Sequence, residues 1–313
     1  SLSNVVSGVN SMLSEDNMKH ISRTIANLDR TMSNVTSQLD TVYKRLSSGF
    51  RINSAKDDPA GFQIANRLTS QINGYKQGRR NANDGLALAQ CMEGALDESV
   101  NMFQRIRVLA LQAANGTYAT FERLTMDEEV KQLCLEITRI AKKTTYAGSP
   151  ILDKNTLGLF NANGNIDIQV SGQAGDVISI PGTENGLSLS GLCTALNLSS
   201  ENFVKKDIIG NVSFSLTSAE NAQDLLKNID KYIGNIDSYR GLLGGIQNRF
   251  ESVIRLNGIM EENLSDARSR IRDTDYAEEA ANLARLTVQQ QVCASLMPRI
   301  MQSKSIILSL LQG

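Results

Sequence analysis

Few residues of this 313-residue chain could carry catalytic chemistry. His20 is its single histidine, which argues against a serine–histidine–aspartate triad and against a histidine-rich metal site. The neighbouring carboxylates of Asp57 and Asp58 could form an acid–base pair, but Asp58 precedes Pro59, an order typical of a helix N-cap followed by proline at the first helical position. The glycines of Leu242–Gln247 match neither a P-loop nor a dinucleotide fingerprint. We therefore expect no enzyme activity, no cofactor and no resident metal.

The cysteines give no sign of a disulfide framework or a metal site. Their positions are far apart in the chain, and none belongs to a C-x-x-C pair: Cys91, Cys134, Cys193 and Cys293. Free thiols that behave as small buried apolar groups are the expectation for such spacing.

Composition excludes several classes of partner. The 32 basic and 33 acidic residues nearly cancel, which removes the electrostatic case for nucleic acid or an anionic membrane. No apolar run approaches the roughly 18 residues of a membrane span, and the N-terminus shows no cleavable secretory signal. The absence of tryptophan and an aromatic content of 5% predict packing mainly by aliphatic side chains.

Heptad patterns near both ends of the chain predict coiled-coil helices. The first pattern has an unbroken 4-3-4-3 spacing of apolar residues: Ile21, Ile25, Leu28, Met32, Val35, Leu39, Val42 and Leu46. The last follows Leu283, Thr287, Gln290, Ala294, Met297, Met301, Leu308 and Leu311, with Pro298 expected to kink the helix. The two end segments should pack side by side, because each has an apolar stripe to bury.

The middle of the chain changes character. Thr125 and Glu128 have the spacing of a capping box that would open a helix. Ile166, Ile168 and Val170 alternate with polar residues before a second short apolar run, which predicts a β-hairpin, and a further strand is expected at 212–216. The fold class is thus mainly α, with long antiparallel coiled-coil helices and a small β-hairpin lobe at 144–216.

Five blocks of sequence resemble the bacterial flagellin family, in the same order along the chain. They are RLSSGFRINSAKDDPAGFQIANRL (Arg45–Leu68), RNANDGLALAQ (Arg80–Gln90), QRIRVLALQAANGT (Gln104–Thr117), IQNRFESVI (Ile246–Ile254) and SDARSRIRDTDYAEEAANLAR (Ser265–Arg285). The resemblance implies a terminal coiled coil called D0 at 1–58 and 272–313. It also implies a helical rod called D1 at 59–271, which includes the lobe at 144–216.

The resemblance implies a structural subunit that polymerises into the helical flagellar filament for swimming motility. Two alternatives stay open: a hook–filament junction protein, and a flagellin-like cell-surface protein that binds polysaccharide. Family members are extracellular and leave the cell through the flagellar type III export apparatus. Their partners are further copies of the chain, hook-associated and cap proteins, an export chaperone and, in animal hosts, a Toll-like innate receptor.

Three sets of site residues follow from these expectations. Long apolar stripes exceed what two helices can bury, so polymer core packing is expected at Ile21, Ile25, Leu28, Met32, Val35, Leu39, Val42, Leu46, Leu283, Ala294, Met297, Leu308 and Leu311. Inter-subunit salt bridges are expected at the junction residues Arg51, Lys56, Asp57 and Asp58, against the simpler interpretation of a capped, solvated turn. By the resemblance, the innate receptor would contact Arg105, Leu109 and Glu129, although Arg105 and Glu129 could simply pair two helices.

Overall fold

Long helices dominate the protein. A computed structural model describes residues 15–153, 158–207 and 210–312, with the side chains described from residue 19 to residue 302 of those ranges. The described helices are α1 (Glu15–Ser48), α2 (Pro59–Ala114), α3 (Thr120–Lys143), α4 (Leu189–Ala195), α5 (Ala219–Arg272) and α6 (Tyr276–Gln312). No helix in the described part of the chain is both long enough and apolar enough to cross a bilayer.

The strands are short and form three antiparallel pairs. They are β1 (Thr145–Tyr146) with β2 (Ser149–Pro150), β3 (Asn165–Gln169) with β4 (Val177–Pro181), and β5 (Val204–Lys206) with β6 (Val212–Phe214). The mainly α fold with a small β-hairpin lobe, predicted from the sequence, is confirmed. The chain divides into two compact units, one of residues up to 70 with those from 264 onward, the other of residues 71–263. The limits proposed for D0 and D1 stay a prediction.

The first unit is built on the antiparallel pair of α1 and α6. Val35, Leu39 and Val42 of α1 are buried against Leu286 of α6. Helix α6 continues through Pro298 although proline lacks the N–H that would bond back along the helix. The expected side-by-side packing of the two end segments is therefore confirmed.

The second unit has one continuous core formed by α2, α3, α5 and the β-lobe. The few aromatic residues are concentrated in it: the Phe103 and Tyr232 ring centroids lie 5.9 Å apart, and those of Phe214 and Tyr232 lie 5.2 Å apart. The expectation of aliphatic packing holds only in part, because overall composition does not reveal where a small number of large side chains will gather.

The β3–β4 hairpin packs tightly on two helices. Ile166 pairs with Ile180 across the hairpin, and both are buried. The Asn257 side-chain amide donates to the Val170 carbonyl at 2.8 Å, and a Cβ atom at Gly78 would lie only 2.2 Å from the same oxygen. Glycine at position 78 thus permits a backbone contact that any side chain would block.

The capping box predicted at Thr125 and Glu128 is wrong. Helix α3 begins at Thr120, and the Glu122 carboxylate accepts a hydrogen bond from the Ala119 N–H at 2.7 Å. Thr125 lies inside the helix, where its hydroxyl donates to the Phe121 carbonyl. Glu122, three residues after the true cap, satisfies the Ala119 backbone N–H, and the cap lies six residues before the predicted one at Thr125.

Candidate functional site

The α1 side of the terminal helix pair follows the predicted heptad. Val35, Leu39 and Val42 are buried, and the other five predicted residues are half-buried: Ile21, Ile25, Leu28, Met32 and Leu46. Every apolar residue of α1 at this spacing is therefore buried or half-buried. The other faces of the helix are mostly polar and exposed.

The α6 side packs in a different register from the predicted one. Leu283 is half-buried against the seam and Met297 is also half-buried, but Ala294 is exposed. The side chains of Leu308 and Leu311 lie outside the described residues. The buried positions are Leu286 and Cys293, which the sequence analysis missed. These two residues belong to a 4-3-4-3 spacing through Glu279, Leu283, Leu286, Gln290, Cys293 and Met297. The spacing is hard to recognise in the sequence because Glu279 and Gln290 are polar.

Helix α6 also has a second apolar face, which the described part of the chain leaves exposed. Val288, Val292 and Leu296 are 58%, 49% and 39% exposed. At about 100° of rotation per residue, these three positions lie on the side of the helix turned away from the Leu286 seam. An uncovered apolar face of this kind is typical of a surface that binds another protein.

A buried charge pair joins the two helices next to the seam. Arg45 Nη1 lies 2.8 Å from Glu279 Oε1, and the Glu279 side chain is only 7% exposed. Its other oxygen, Oε2, has no hydrogen-bond partner among the residues that the structure describes. The carboxylate is thus held in place by one bond and retains an unused acceptor.

The predicted junction residues lie in one tight turn between α1 and α2. The Asp57 carboxylate accepts hydrogen bonds from the backbone N–H groups of Asn53 and Ser54, at 3.1 and 2.9 Å. The Ser54 backbone bond, followed by the Ser54 hydroxyl, lowers the pKa of Asp57 below its usual 3.8. Asp58 accepts from the N–H groups of Ala60 and Gly61, which confirms its predicted role as the N-cap of α2.

Of the two basic junction residues, Arg51 is held by a hydrogen bond and Lys56 is exposed. The Arg51 guanidinium donates to the Ile271 carbonyl at 2.8 Å, whereas the Lys56 side chain is exposed. Together with Asp57 they line a polar depression of about 490 Å³ on the first unit, which Asp40 and Lys44 also face. Their role in contacts between subunits stays a prediction.

The three residues predicted to contact an innate receptor have unequal access to solvent. Arg105 and Glu129 form an exposed ion pair between α2 and α3, with Nη2 and Oε1 2.6 Å apart. Leu109 is only 2% exposed and belongs to the core, while its neighbour Val108 is 47% exposed. Any receptor contact at this place would therefore involve the ion pair rather than Leu109.

The thiols are free, as expected, but they are not all buried. Cys134, Cys193 and Cys293 are buried and Cys91 is exposed. Burial raises the pKa of Cys134 to about 12, and the Cys193 sulfur lies 3.3 Å from the Tyr232 hydroxyl.

Within the residues that the structure describes, no group of three or more His, Cys, Asp or Glu side chains is placed to hold a metal ion.

Comparison with protein families gives two matches that cover more than two thirds of the chain. Residues 21–156 match the bacterial flagellin N-terminal helical region, and residues 226–311 match the bacterial flagellin C-terminal helical region. Flagellin B of Vibrio anguillarum is 31% identical over 90% of this chain and 96% of that relative's length. Polar flagellin F of Vibrio parahaemolyticus is 30% identical with the same coverage of both chains.

Among solved structures, a putative flagellar hook-associated protein from Vibrio parahaemolyticus has a similar fold. The TM-score is 0.54 at 16% sequence identity, and the match covers 69% of this chain and 100% of that chain. This likeness bears on the fold alone.

Proposed function

Since the chain belongs to the bacterial flagellin family, we propose that filament growth buries the outer face of α6, formed by Val288, Val292 and Leu296, against other copies of the same chain. The protein is a structural subunit of the extracellular bacterial flagellar filament, and its family is one of structural proteins that serve motility. The observation that carries the proposal is the pair of apolar faces on α6, of which one is covered and the other exposed within the described part of the chain.

The size of the uncovered face fits a driving force for assembly. Each of the three side chains is between about two fifths and three fifths exposed, so its burial contributes roughly 1 kcal/mol per copy. The same contact repeats along a polymer, and subunits related by a rotation that does not close form an open helical filament. Polymer core packing at Ala294, Leu308 and Leu311 stays a separate prediction, because these positions do not share the outer face of α6.

The junction turn would adjust the lattice rather than drive its formation. Lys56 is exposed and the Asp57 carboxylate is held by its own turn, so both could meet charges of a neighbouring copy without reorganising. Exposed ion pairs contribute about 0–1 kcal/mol each. We therefore assign Arg51, Lys56, Asp57 and Asp58 a role in the choice between closely similar packing arrangements.

The remaining partners follow from the family. An export chaperone would cover the open face of α6 before the subunit leaves through the flagellar type III apparatus. Hook-associated and cap proteins would bind at the ends of the filament. A Toll-like receptor would contact the exposed pair of Arg105 and Glu129 on free subunits. The open apolar face supports the chaperone, because such a surface must be shielded at high concentration.

A single substitution tests the proposal. Val292→Asp places a charge in the outer face without touching the α1 seam, so the subunit should fold and fail to form filaments. Gln291→Asp adds the same charge to an exposed neighbouring position and should leave assembly intact. Sedimentation and electron microscopy give the readout; filaments of normal length from Val292→Asp would contradict the proposal.

A further inference from the structure

Five asparagine–glycine pairs in this chain are candidates for a spontaneous reaction of the backbone. They are Asn73–Gly74, Asn115–Gly116, Asn163–Gly164, Asn185–Gly186 and Asn257–Gly258. The glycine nitrogen of such a pair can attack the side-chain carbonyl carbon of the asparagine, because glycine has no Cβ atom to hinder the approach. The attack needs a glycine N–H without a hydrogen-bond acceptor and a backbone that can bring the nitrogen and the carbon together.

The fold protects four of these pairs. Asn73–Gly74 and Asn257–Gly258 lie inside α2 and α5, where the helical hydrogen bonds engage the glycine N–H and hold it away from the side chain. In the other two protected pairs the glycine is buried, and its N–H already donates to a carbonyl oxygen: Gly164 to Asn161 at 2.9 Å, and Gly186 to Thr183 at 3.2 Å. In the folded protein these four nitrogens are therefore engaged.

The fifth pair, Asn115–Gly116, lies in the turn between α2 and α3. Both residues are exposed, and the Gly116 N–H donates no hydrogen bond within the described part of the chain. The turn does not require glycine, because the Gly116 φ angle is outside the left-handed region and a Cβ atom there would meet no atom within 4 Å. Gly164 and Gly186 differ, since their φ angles of 78° and 72° favour glycine.

Hydrogen-bond donors around this pair match the charges that the reaction creates. Loss of a proton from the Gly116 nitrogen places negative charge on the Asn115 main-chain oxygen, because both atoms belong to one conjugated peptide group. That oxygen accepts hydrogen bonds from Arg123 Nη2 at 3.1 Å and from the Tyr118 N–H at 3.4 Å. Attack then places charge on Asn115 Oδ1, which accepts from the Thr117 N–H at 3.3 Å. Donors that are in place beforehand stabilise such charge.

We propose that Asn115 is a site of spontaneous deamidation and that Arg123 promotes the reaction. The Gly116 nitrogen loses its proton to hydroxide and forms a bond to Asn115 Cγ; the Cγ–Nδ2 bond breaks, and ammonia leaves with a proton taken from water. Water then opens the succinimide at either carbonyl, which gives aspartate or isoaspartate without any oxidant. The product adds a negative charge to the turn, and isoaspartate also lengthens the backbone by one carbon atom. The proposal does not depend on the proposed function.

Incubation of the full chain at mildly alkaline pH, followed by peptide mass spectrometry, tests the site. In the folded protein Asn115 should deamidate at least about tenfold faster than the asparagine of any other asparagine–glycine pair. In urea that unfolds the chain, the five rates should approach one another, because the fold no longer selects among them. Equal rates in the folded protein, or a faster reaction at another pair, would overturn the proposal.

Two variants separate the chemistry from the structure. Gly116→Ala should keep or raise the melting temperature, since its methyl meets open space, and should slow deamidation of Asn115 about tenfold because the methyl hinders attack. Gly94→Ala is the matched control and should leave the Asn115 rate unchanged; an equal slowing there would overturn the proposal. Arg123→Gln should slow the reaction in the folded protein but not in urea. An unchanged or faster folded-state rate would overturn the role of the guanidinium, as would a slowing that persists in urea.

Discussion

Arg45 Nη1 donates a hydrogen bond to Glu279 Oε1 at 2.8 Å, across 234 residues of sequence. The bond links the last turn of α1 to the first turn of α6, next to the point where Phe50 and Asp273 form an antiparallel bridge. Because the Glu279 side chain is 7% exposed and Arg45 is 32% exposed, the carboxylate depends on its partner more than the guanidinium does.

Arg45→Met should therefore destabilise the pair of α1 and α6 more than Glu279→Gln does. Removal of the arginine leaves a buried, unpaired carboxylate, at a cost of about 1–3 kcal/mol once partial exposure is allowed for. Hydrogen exchange of amides in α1 and α6 measures the effect locally. The double variant should recover part of the loss, and strictly additive effects would show that the two groups do not interact.

Leu39→Asp should abolish polymerisation and leave the second unit folded. Leu39 is 5% exposed in the α1–α6 seam, and a buried unpaired carboxylate is strongly unfavourable. Circular dichroism should retain the cooperative transition of the second unit, while sedimentation finds no polymer. Gln38→Asp, at an exposed neighbouring position, is the control; intact filaments from Leu39→Asp would refute a role for the seam.

Gly78→Ala should destabilise the second unit, whereas Gly94→Ala should be neutral or stabilising by about 0.5–1 kcal/mol. The added methyl at position 78 would lie 2.2 Å from the Val170 carbonyl oxygen, but at position 94 it would meet no atom within 4 Å. Thermal unfolding of the two variants makes the comparison. Equal melting temperatures would mean that the hairpin does not lie against α2 as described.

The Asp57 turn should lose order in acid. The folded pKa of Asp57 is below 3.8, so its hydrogen bonds stabilise the turn above that pH and are lost as pH falls through the folded pKa. NMR titration of the carboxyl group measures this directly. Ser54→Ala should raise the pKa only part of the way, because the backbone bond from Ser54 remains and is the larger cause; an unchanged pKa would exclude the hydroxyl contribution.

Thiol labelling should distinguish the cysteines by accessibility. Cys91 is exposed and should react first with iodoacetamide, while Cys134 should react only on unfolding, because burial removes access and raises its pKa to about 12. Mass spectrometry of partially labelled protein identifies the modified positions. Labelling of Cys134 at the rate of Cys91 would show that this part of the core opens readily.

Local patterns were sufficient for much of this molecule. The heptad of α1 predicted its packed face correctly, since apolar residues occupy one side of that helix and polar residues the rest. The cap at Asp58 and the β3–β4 hairpin were also predictable, because each depends on the conformational preferences of a few adjacent residues.

The face of α6 that packs inside the subunit could not be read in the same way. Its apolar residues lie on both sides of the helix, so spacing alone allowed a stripe through Thr287 and Ala294 as readily as the observed seam through Leu286 and Cys293. Only the position of α1 selects between them. The burial of Leu109 and the gathering of Phe103, Phe214 and Tyr232 have the same origin, because they depend on contacts between residues distant in sequence.

Sequence by itself thus determined the helices, the hairpin and the family of the protein. All three depend on the spacing of nearby residues or on blocks of consecutive residues. The tertiary structure decided which apolar faces of α1 and α6 are covered and which stay exposed within the described residues. That distinction depends on which surfaces the folded chain brings together, and no periodicity within a single helix contains it.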